Sequence, residues 1–125
     1  MTVLVDTSVL IDHLRGHPSA VELLARWRSQ GPLHASEMTR LEVLSGMRRG
    51  EESAARALLG ALRWHPVDEE VAEDAGALGR RWLPSHPTTD SADLAIAATA
   101  LRLGADLLTR NVRHFPMFAD LAPPC

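Results

Sequence analysis

The alternation of short extended segments with longer helical ones constrains the fold of this chain most strongly. We predict four strands, at positions 3–5, 33–35, 63–67 and 105–109, each separated from the next by helical periodicity or by an apolar helical run. Strands that alternate with helices in this way form a largely parallel sheet covered by helices on both faces. We therefore predict an α/β fold with a mostly parallel sheet of four to five short strands.

Glycine and proline residues mark where the predicted helices end. The third helix starts from Ser36 as its N-cap, carries Leu41, Leu44 and Met47 as an apolar stripe and stops at Gly50. The last helix is apolar on nearly every side, which is typical of a buried central helix. The helices are predicted at positions 8–15, 19–28, 36–50, 51–62, 69–83 and 90–103.

The length of the chain and its apolar segments limit where such a protein works. The 125 residues match one globular domain, so residues 1–125 are expected to form a single domain. No stretch approaches the roughly 20 apolar residues that cross a bilayer. The lone Cys125 cannot form an intrachain disulfide, which fits a reducing compartment. We expect a cytoplasmic protein that does not contact membranes.

The charge of the chain excludes one class of nucleic-acid-binding protein. The net charge is −3, whereas domains that hold nucleic acid through bulk electrostatics are usually basic. All 13 basic residues are arginine. Any contact with nucleic acid must therefore depend on a local site.

Acidic side chains cluster where the predicted sheet would bind a ligand. Asp6 follows the first strand and Asn111 follows the last, so both lie at the carboxyl edge of a parallel sheet. Glu42 and Asp93 lie near the start of helices, and Asp90 shares a helix face with Asp93. Carboxylates this close would repel one another unless a cation lay among them. Ligands that are all oxygen favour Mg²⁺, with Mn²⁺ as a possible substitute.

A divalent cation in such a site has a clear chemical use. It can hold a phosphate oxygen, orient a water for in-line attack and stabilise the departing oxygen. A nearby carboxylate can accept the proton of that water, so no catalytic histidine or serine is required. The predicted reaction is therefore phosphodiester hydrolysis.

Three segments of the chain resemble a known family. They are VLVDTSVLID at positions 3–12, TRLEVLSGMRRG at 39–50 and DSADLAIAATALRLGADLLTRNVRHF at 90–115. In order and spacing they resemble the PIN-domain nucleases, and among these the VapC-type toxins of bacterial toxin-antitoxin operons. The resemblance implies a single PIN-like nuclease domain, a three-layer α/β/α sandwich that acts as a Mg²⁺-dependent endoribonuclease. It also implies a homodimer that a small cognate antitoxin inhibits.

The same resemblance assigns roles to individual residues. Asp6, Glu42 and Asp93 look like the family's first three acidic residues and are the predicted catalytic metal ligands. Asn111 completes the predicted catalytic set, but it stands where many relatives have a fourth acid. This departure leaves open whether one or two metal ions bind.

Further residues are expected to support this site. Arg110 and Arg113, which flank Asn111, are the candidates for contacts with RNA phosphates. Secondary metal contacts or hydrogen bonds to the carboxylates are expected from Ser8, Asp90 and Thr109.

Each acidic residue also has a simpler interpretation. Asp6 could be a loop or cap residue after a strand. The pattern Thr39-x-x-Glu42 is itself a capping box, in which the acid serves the helix end. The helix dipole alone favours Asp93 near an N-terminus, and capping explains Asp90 as well as metal support does.

Two other classes of protein share parts of this pattern. A signalling receiver domain also has acidic residues after a strand of an α/β sheet, but it requires a lysine, and this chain has none. A catalytically inactive PIN-like module could bind RNA or an antitoxin without cleaving anything. The presence of Asp6, Glu42 and Asp93 together argues against that alternative.

Overall fold

A four-stranded parallel sheet forms the centre of the structure. The computed structural model describes residues 2–119 and residue 121, so the prediction for Cys125 lies outside the described residues. The strand order is β3-β2-β1-β4, and every neighbouring pair is parallel. The predicted α/β fold with a parallel sheet is therefore confirmed. The strands are β1 (Val3–Val5), β2 (Leu33–Ser36), β3 (Arg63–His65) and β4 (Asp106–Leu108).

Helices connect the strands and cover both faces of the sheet. The helix α6 is buried along most of its length, as its apolar composition predicts. No described helix is both long enough and apolar enough to cross a membrane. The helices are α1 (Thr7–Leu14), α2 (Pro18–Arg28), α3 (Glu37–Ser45), α4 (Glu52–Gly60), α5 (Glu69–Trp82) and α6 (Ser91–Leu103), followed by a short 3₁₀ turn at Val112–His114.

The core is divided by the sheet into two apolar clusters. Alternate residues of a strand point to opposite faces, so Val3 and Val5 join one cluster while Leu4 joins the other. The first cluster contains residues of α1, α2 and α4, and the second contains residues of α6 together with Phe115. The sheet between two helical layers gives the expected three-layer sandwich.

The helix α3 is shorter than predicted. It ends at Ser45 and does not continue to Gly50, and Leu41 is 59% exposed. Within the predicted apolar stripe, Leu44 packs against the first core cluster. The buried residues of this helix are Thr39 and Val43, which are four positions apart and so share one side.

The strand β3 is also shorter than predicted. It ends at His65, immediately before Pro66, and the prediction extended it to position 67. Proline has no N–H to donate to a neighbouring strand, so the ladder cannot continue normally through that position.

Two glycines in helical contexts should respond oppositely to substitution by alanine. Gly104 ends α6 with a φ of +62°, whereas Gly76 lies within α5, and an added Cβ would meet nothing within 4 Å at either position. Gly104→Ala should lower the free energy of unfolding by roughly 1–2 kcal/mol, because a side chain disfavours the left-handed conformation. Gly76→Ala should raise it by roughly 0.5–1 kcal/mol. Urea denaturation of both variants measures the contrast, and effects of the same sign would contradict the left-handed cap.

Candidate active site

The pairing of β1 with β4 brings two segments that are far apart in the sequence to one edge of the sheet. Val5 lies beside Leu108 in the parallel register, and the Asp6 N–H donates to the Leu108 carbonyl at 2.8 Å. The residues that follow these two strands therefore meet, although Asp6 and Thr109 are 103 positions apart in the sequence. Their meeting point is the carboxyl edge where open α/β sheets bind ligands.

The carboxylate of Asp6 is buried and held by two hydroxyl groups. Ser8 Oγ and Thr109 Oγ1 each donate to Asp6 Oδ2 at 2.7 Å. These hydroxyls accept hydrogen bonds in turn, Ser8 from the Arg110 N–H and Thr109 from the Asn111 N–H, both at 3.0 Å. A hydroxyl has a single proton, so donors behind each oxygen leave that proton directed at the carboxylate. The network fixes how Asp6 is oriented.

Helix capping does not account for the Asp6 side chain. Asp6 occupies the N-cap of α1, and its carbonyl accepts from the N–H groups of Val9 and Leu10. Its side chain makes no capping hydrogen bond to that helix. The hydrogen bonds of this carboxylate therefore do not serve to cap the helix.

Glu42 is held by the residue that follows Asp6. Thr7 Oγ1 donates to Glu42 Oε1 at 2.6 Å and lies 3.0 Å from Thr39 Oγ1. The N-cap of α3 is Ser36, whose side chain accepts from the Met38 N–H. The capping-box interpretation of Thr39 and Glu42 is therefore wrong, because both residues lie inside the helix and face Thr7.

Other acidic residues act on Glu42 through their charge. Burial raises the pKa of the Glu42 carboxyl, while the Thr7 hydrogen bond opposes that change. The negative charges of Asp6 and Asp90 raise it further. Three of the predicted acids thus lie near enough for their charges to interact.

Asp93 and Asp90 form a reciprocal capping box at the start of α6. Asp90 Oδ1 accepts from the Asp93 N–H at 2.8 Å, and Asp93 Oδ2 accepts from the Asp90 N–H at 3.1 Å. The N-cap alternative for Asp90 is therefore confirmed. Asp93 Oδ2 also lies 3.0 Å from His114 Nδ1, so a side chain from the 3₁₀ turn contacts the same carboxylate.

The environment of Asp93 disfavours its charged form. The residue is only 7% exposed, and burial raises its pKa to about 6. The hydrogen bond from the Asp90 backbone opposes this rise, whereas the negative charge of Asp90 adds to it, and the His114 charge lowers the pKa. A cation beside Asp93 would favour the carboxylate in the same way that His114 does.

Three of the predicted ligands are of the chemical type that binds a hard divalent cation. Carboxylate oxygens come from Asp6, Glu42 and Asp93, and oxygen ligands are those that Mg²⁺ and Mn²⁺ prefer. The negative charges of Asp6 and Asp90 raise the pKa of Glu42, and a cation nearby would offset them. Among residues 2–119 and 121, however, no group of three or more His, Cys, Asp or Glu side chains lies close enough together to hold a metal ion, so the acids do not form a complete metal site.

Comparison with known proteins identifies the family. The family model of the PIN domain matches residues 3–121. The chain belongs to the PIN-domain family. Among curated proteins, this PIN-domain chain is 49% identical over 122 residues to Ribonuclease VapC19 of Mycobacterium tuberculosis, covering 97% of this chain and 98% of the relative. It is 43% identical to Ribonuclease VapC10 of the same species, covering 98% of this chain and 92% of the relative.

A solved structure agrees with this assignment. The chain is similar to a chain of a toxin-antitoxin complex from Klebsiella pneumoniae, with a TM-score of 0.83 and 27% identity. The similarity covers 99% of this PIN-domain chain and 98% of the other. The recognition from three sequence segments as a VapC-type PIN domain is therefore confirmed.

Some of the predicted site residues of this PIN domain lie differently from the three acids. Asn111 is exposed, and it is its backbone N–H that enters the Asp6 network. The Arg110 guanidinium lies 3.1 Å from Asp12 Oδ2, so this arginine is held by α1. Arg113 is exposed in the 3₁₀ turn. The roles of Asn111, Arg110 and Arg113 stay predictions.

Two residues at the site were not predicted to contact the acids. Thr7 donates to Glu42, and His114, which follows Arg113 in the sequence, contacts Asp93. The position of Thr7 directly after Asp6 was an available signal. His114 had a weaker one, because residues three apart in a 3₁₀ turn lie on one side, which places it beside Asn111.

The raised pKa of Asp93 predicts how the stability of the metal-free protein depends on pH. In the unfolded chain Asp93 should titrate near 3.8, and in the folded protein near 6, so folding favours the protonated acid. The corresponding stability is present below about pH 4 and is lost as the pH rises through 6. Asp93→Asn resembles the neutral acid, so in EDTA it should melt above the wild type at pH 7.5 and close to it at pH 4.

The exposed Asp106 at the start of β4 offers a matched control. Asp106→Asn should show no comparable pH-dependent difference from the wild type. Equal melting temperatures of wild type and Asp93→Asn across the whole pH range would contradict a destabilising carboxylate at position 93.

Proposed function

We propose that this protein is a Mg²⁺-dependent endoribonuclease and the toxin of a toxin-antitoxin pair. One observation carries the proposal: Asp6 and Asp93 are buried and oriented carboxylates in a PIN domain that is 49% identical to a ribonuclease. Burying an acid without a basic partner costs free energy, and acids with perturbed pKa values cluster at functional sites. The burial of Asp6 and Asp93 therefore supports a functional role. Hydrolysis of RNA phosphodiester bonds is the activity that this chemistry supports best.

Asp6, Glu42 and Asp93 are the residues that would hold the Mg²⁺ ion. When bound, the ion supplies charge stabilisation for the phosphate oxygens and lowers the pKa of a coordinated water. The protein supplies orientation, because hydroxyls fix Asp6 and Glu42 and because a backbone N–H and His114 fix Asp93. A carboxylate of the site would accept the proton of an attacking water.

The RNA substrate would meet positive charge at only a few positions. The Arg110 N–H donates to Ser8 Oγ beside Asp6, and Arg113 lies in the 3₁₀ turn that follows. We infer that these two arginines contact phosphates on either side of the scissile bond. The net charge of −3 leaves no general attraction for RNA. Recognition would therefore depend on the shape of the RNA and on exposed single-stranded segments.

We also propose a homodimer and a cognate antitoxin as protein partners in the cytoplasm. Leu41 on α3 is 59% exposed, so an apolar side chain of an early helix is available for a contact between copies of the chain. A groove of about 220 Å³ between α2 and α4, lined by Val21, Leu24 and Leu58 among others, supports an apolar contact with the antitoxin. The solved neighbour from Klebsiella pneumoniae is itself a toxin-antitoxin complex.

Removing one metal ligand tests the proposed activity directly. Asp6→Asn keeps the shape of the side chain but removes its charge, so cleavage of total RNA in Mg²⁺ should fall by more than the roughly 10–100-fold typical of outer-shell changes. The same variant should relieve growth arrest on expression without antitoxin. Asp106→Asn, at the opposite end of the sheet, should cleave like the wild type. Full cleavage by Asp6→Asn, or by the wild type in EDTA, would refute the proposal.

Asn111 provides a graded test of the metal site. An amide oxygen can bind Mg²⁺ or orient water but adds no charge. Asn111→Asp should lower the Mg²⁺ concentration for half-maximal cleavage, and Asn111→Ala should raise it or slow the reaction. An identical Mg²⁺ dependence for all three proteins would place the exposed Asn111 side chain outside the site.

A further inference from the structure

The backbone of His114 is held by hydrogen bonds at both its N–H and its carbonyl. The His114 N–H donates to the Asn111 carbonyl, and the His114 carbonyl accepts from Thr89 Oγ1, each at 2.9 Å. The next residue, Phe115, is 1% exposed and belongs to the core cluster beneath the sheet. Thr89 itself is buried directly before the N-cap of α6. The 3₁₀ turn is thereby attached to the start of the helix that carries Asp93.

The contact of this ring with Asp93 involves one particular oxygen. His114 Nδ1 lies 3.0 Å from Asp93 Oδ2, and the Asp90 N–H donates to the same oxygen at 3.1 Å. Because a ring nitrogen and a backbone N–H both contact Oδ2, together they fix the rotation of the Asp93 carboxyl group about the Cβ–Cγ bond. The other oxygen, Oδ1, takes part in neither interaction.

We propose that His114 is a positioning residue, whose Nδ1–H holds Asp93 Oδ2 and leaves Oδ1 as the ligand oxygen for a divalent cation. Partners of this kind behind a ligand typically contribute roughly 10–100-fold to metal affinity or activity. The inference rests on the proposed function only in taking Asp93 as a ligand. It assigns His114 a role separate from the RNA contacts predicted for Arg110 and Arg113.

A purely structural role for His114 makes different predictions. If the hydrogen bond only attached the 3₁₀ turn to α6, its loss would lower the melting temperature and leave metal affinity unchanged. If the hydrogen bond positions Asp93, its loss changes the affinity for the cation, and any donor at the same position restores it. Metal affinity and rescue therefore separate the two roles.

Two substitutions isolate the hydrogen bond. Asn places its amide nitrogen the same number of bonds from the backbone as Nδ1 of histidine, so His114→Asn keeps a donor. His114→Leu keeps comparable bulk near the backbone and has no donor. His17→Leu is a control for replacing a histidine away from Asp93: the His17 side chain is 57% exposed, and its ring lies 3.9 Å from Asp12.

The experiment measures binding of Mn²⁺ alone to each full-length protein, with free Mn²⁺ followed by electron paramagnetic resonance and no RNA present. Wild type, His114→Asn and His17→Leu should bind with similar Kd, and His114→Leu should bind about tenfold more weakly. In RNA cleavage, His114→Leu should need more Mg²⁺ but approach the wild-type rate at saturation. Melting temperatures in EDTA establish that each variant is folded.

Three outcomes would overturn the inference. An unchanged Kd for His114→Leu with a lower melting temperature would leave only the structural role. Equal weakening in His114→Asn and His114→Leu would exclude the hydrogen bond as the cause. A wild type that binds no Mn²⁺ would remove both this inference and the proposed metal dependence, whereas the expected order of Kd values without any RNA cleavage would refute the proposed function alone.

Discussion

The parallel pairing of β1 with β4 is the constraint on which the site depends. It brings Asp6 against Thr109 and places the Asp6 N–H on the Leu108 carbonyl. Only then can the backbone after β4 support the hydroxyls that orient Asp6. Because the two strands are far apart in the sequence, the carboxylate is oriented only once β1 and β4 have paired.

Hydroxyl groups hold Asp6 and Glu42, whereas a backbone N–H and a histidine ring hold Asp93. Asp6 receives two hydroxyl protons, Glu42 receives one from Thr7, and Asp93 receives a backbone N–H and a histidine ring. These hydrogen bonds only partly compensate burial, since the pKa of Glu42 and that of Asp93 are both raised. The apo site is thus less stable than a neutral core would be, as is common where function requires buried charge.

Local periodicity was enough to predict the sheet, whereas tertiary contacts decided the features that the sequence did not predict. Strand and helix alternation indicated the parallel sheet, and the position of Asp6 after β1 indicated its edge. Periodicity could not predict which side of α3 faces the core, which is the side that carries Thr39 and Val43. The predicted N-cap at Ser36 already placed Thr39 and Glu42 inside the helix. Periodicity could not show that His114 reaches Asp93 across 21 residues, because that contact exists only in the folded chain.

The charge distribution explains how an acidic protein could accept a polyanion at an acidic site. The guanidinium of Arg110 lies against Asp12, so part of the positive charge nearest the site is already neutralised within the protein. On the proposed function, attraction of RNA to this surface would come mainly from a bound cation, which would offset the charge of the carboxylates. Metal binding would precede productive RNA binding, because without the cation the carboxylates repel the phosphates that approach them. The buried acids would in this way make substrate binding, as well as chemistry, depend on the metal.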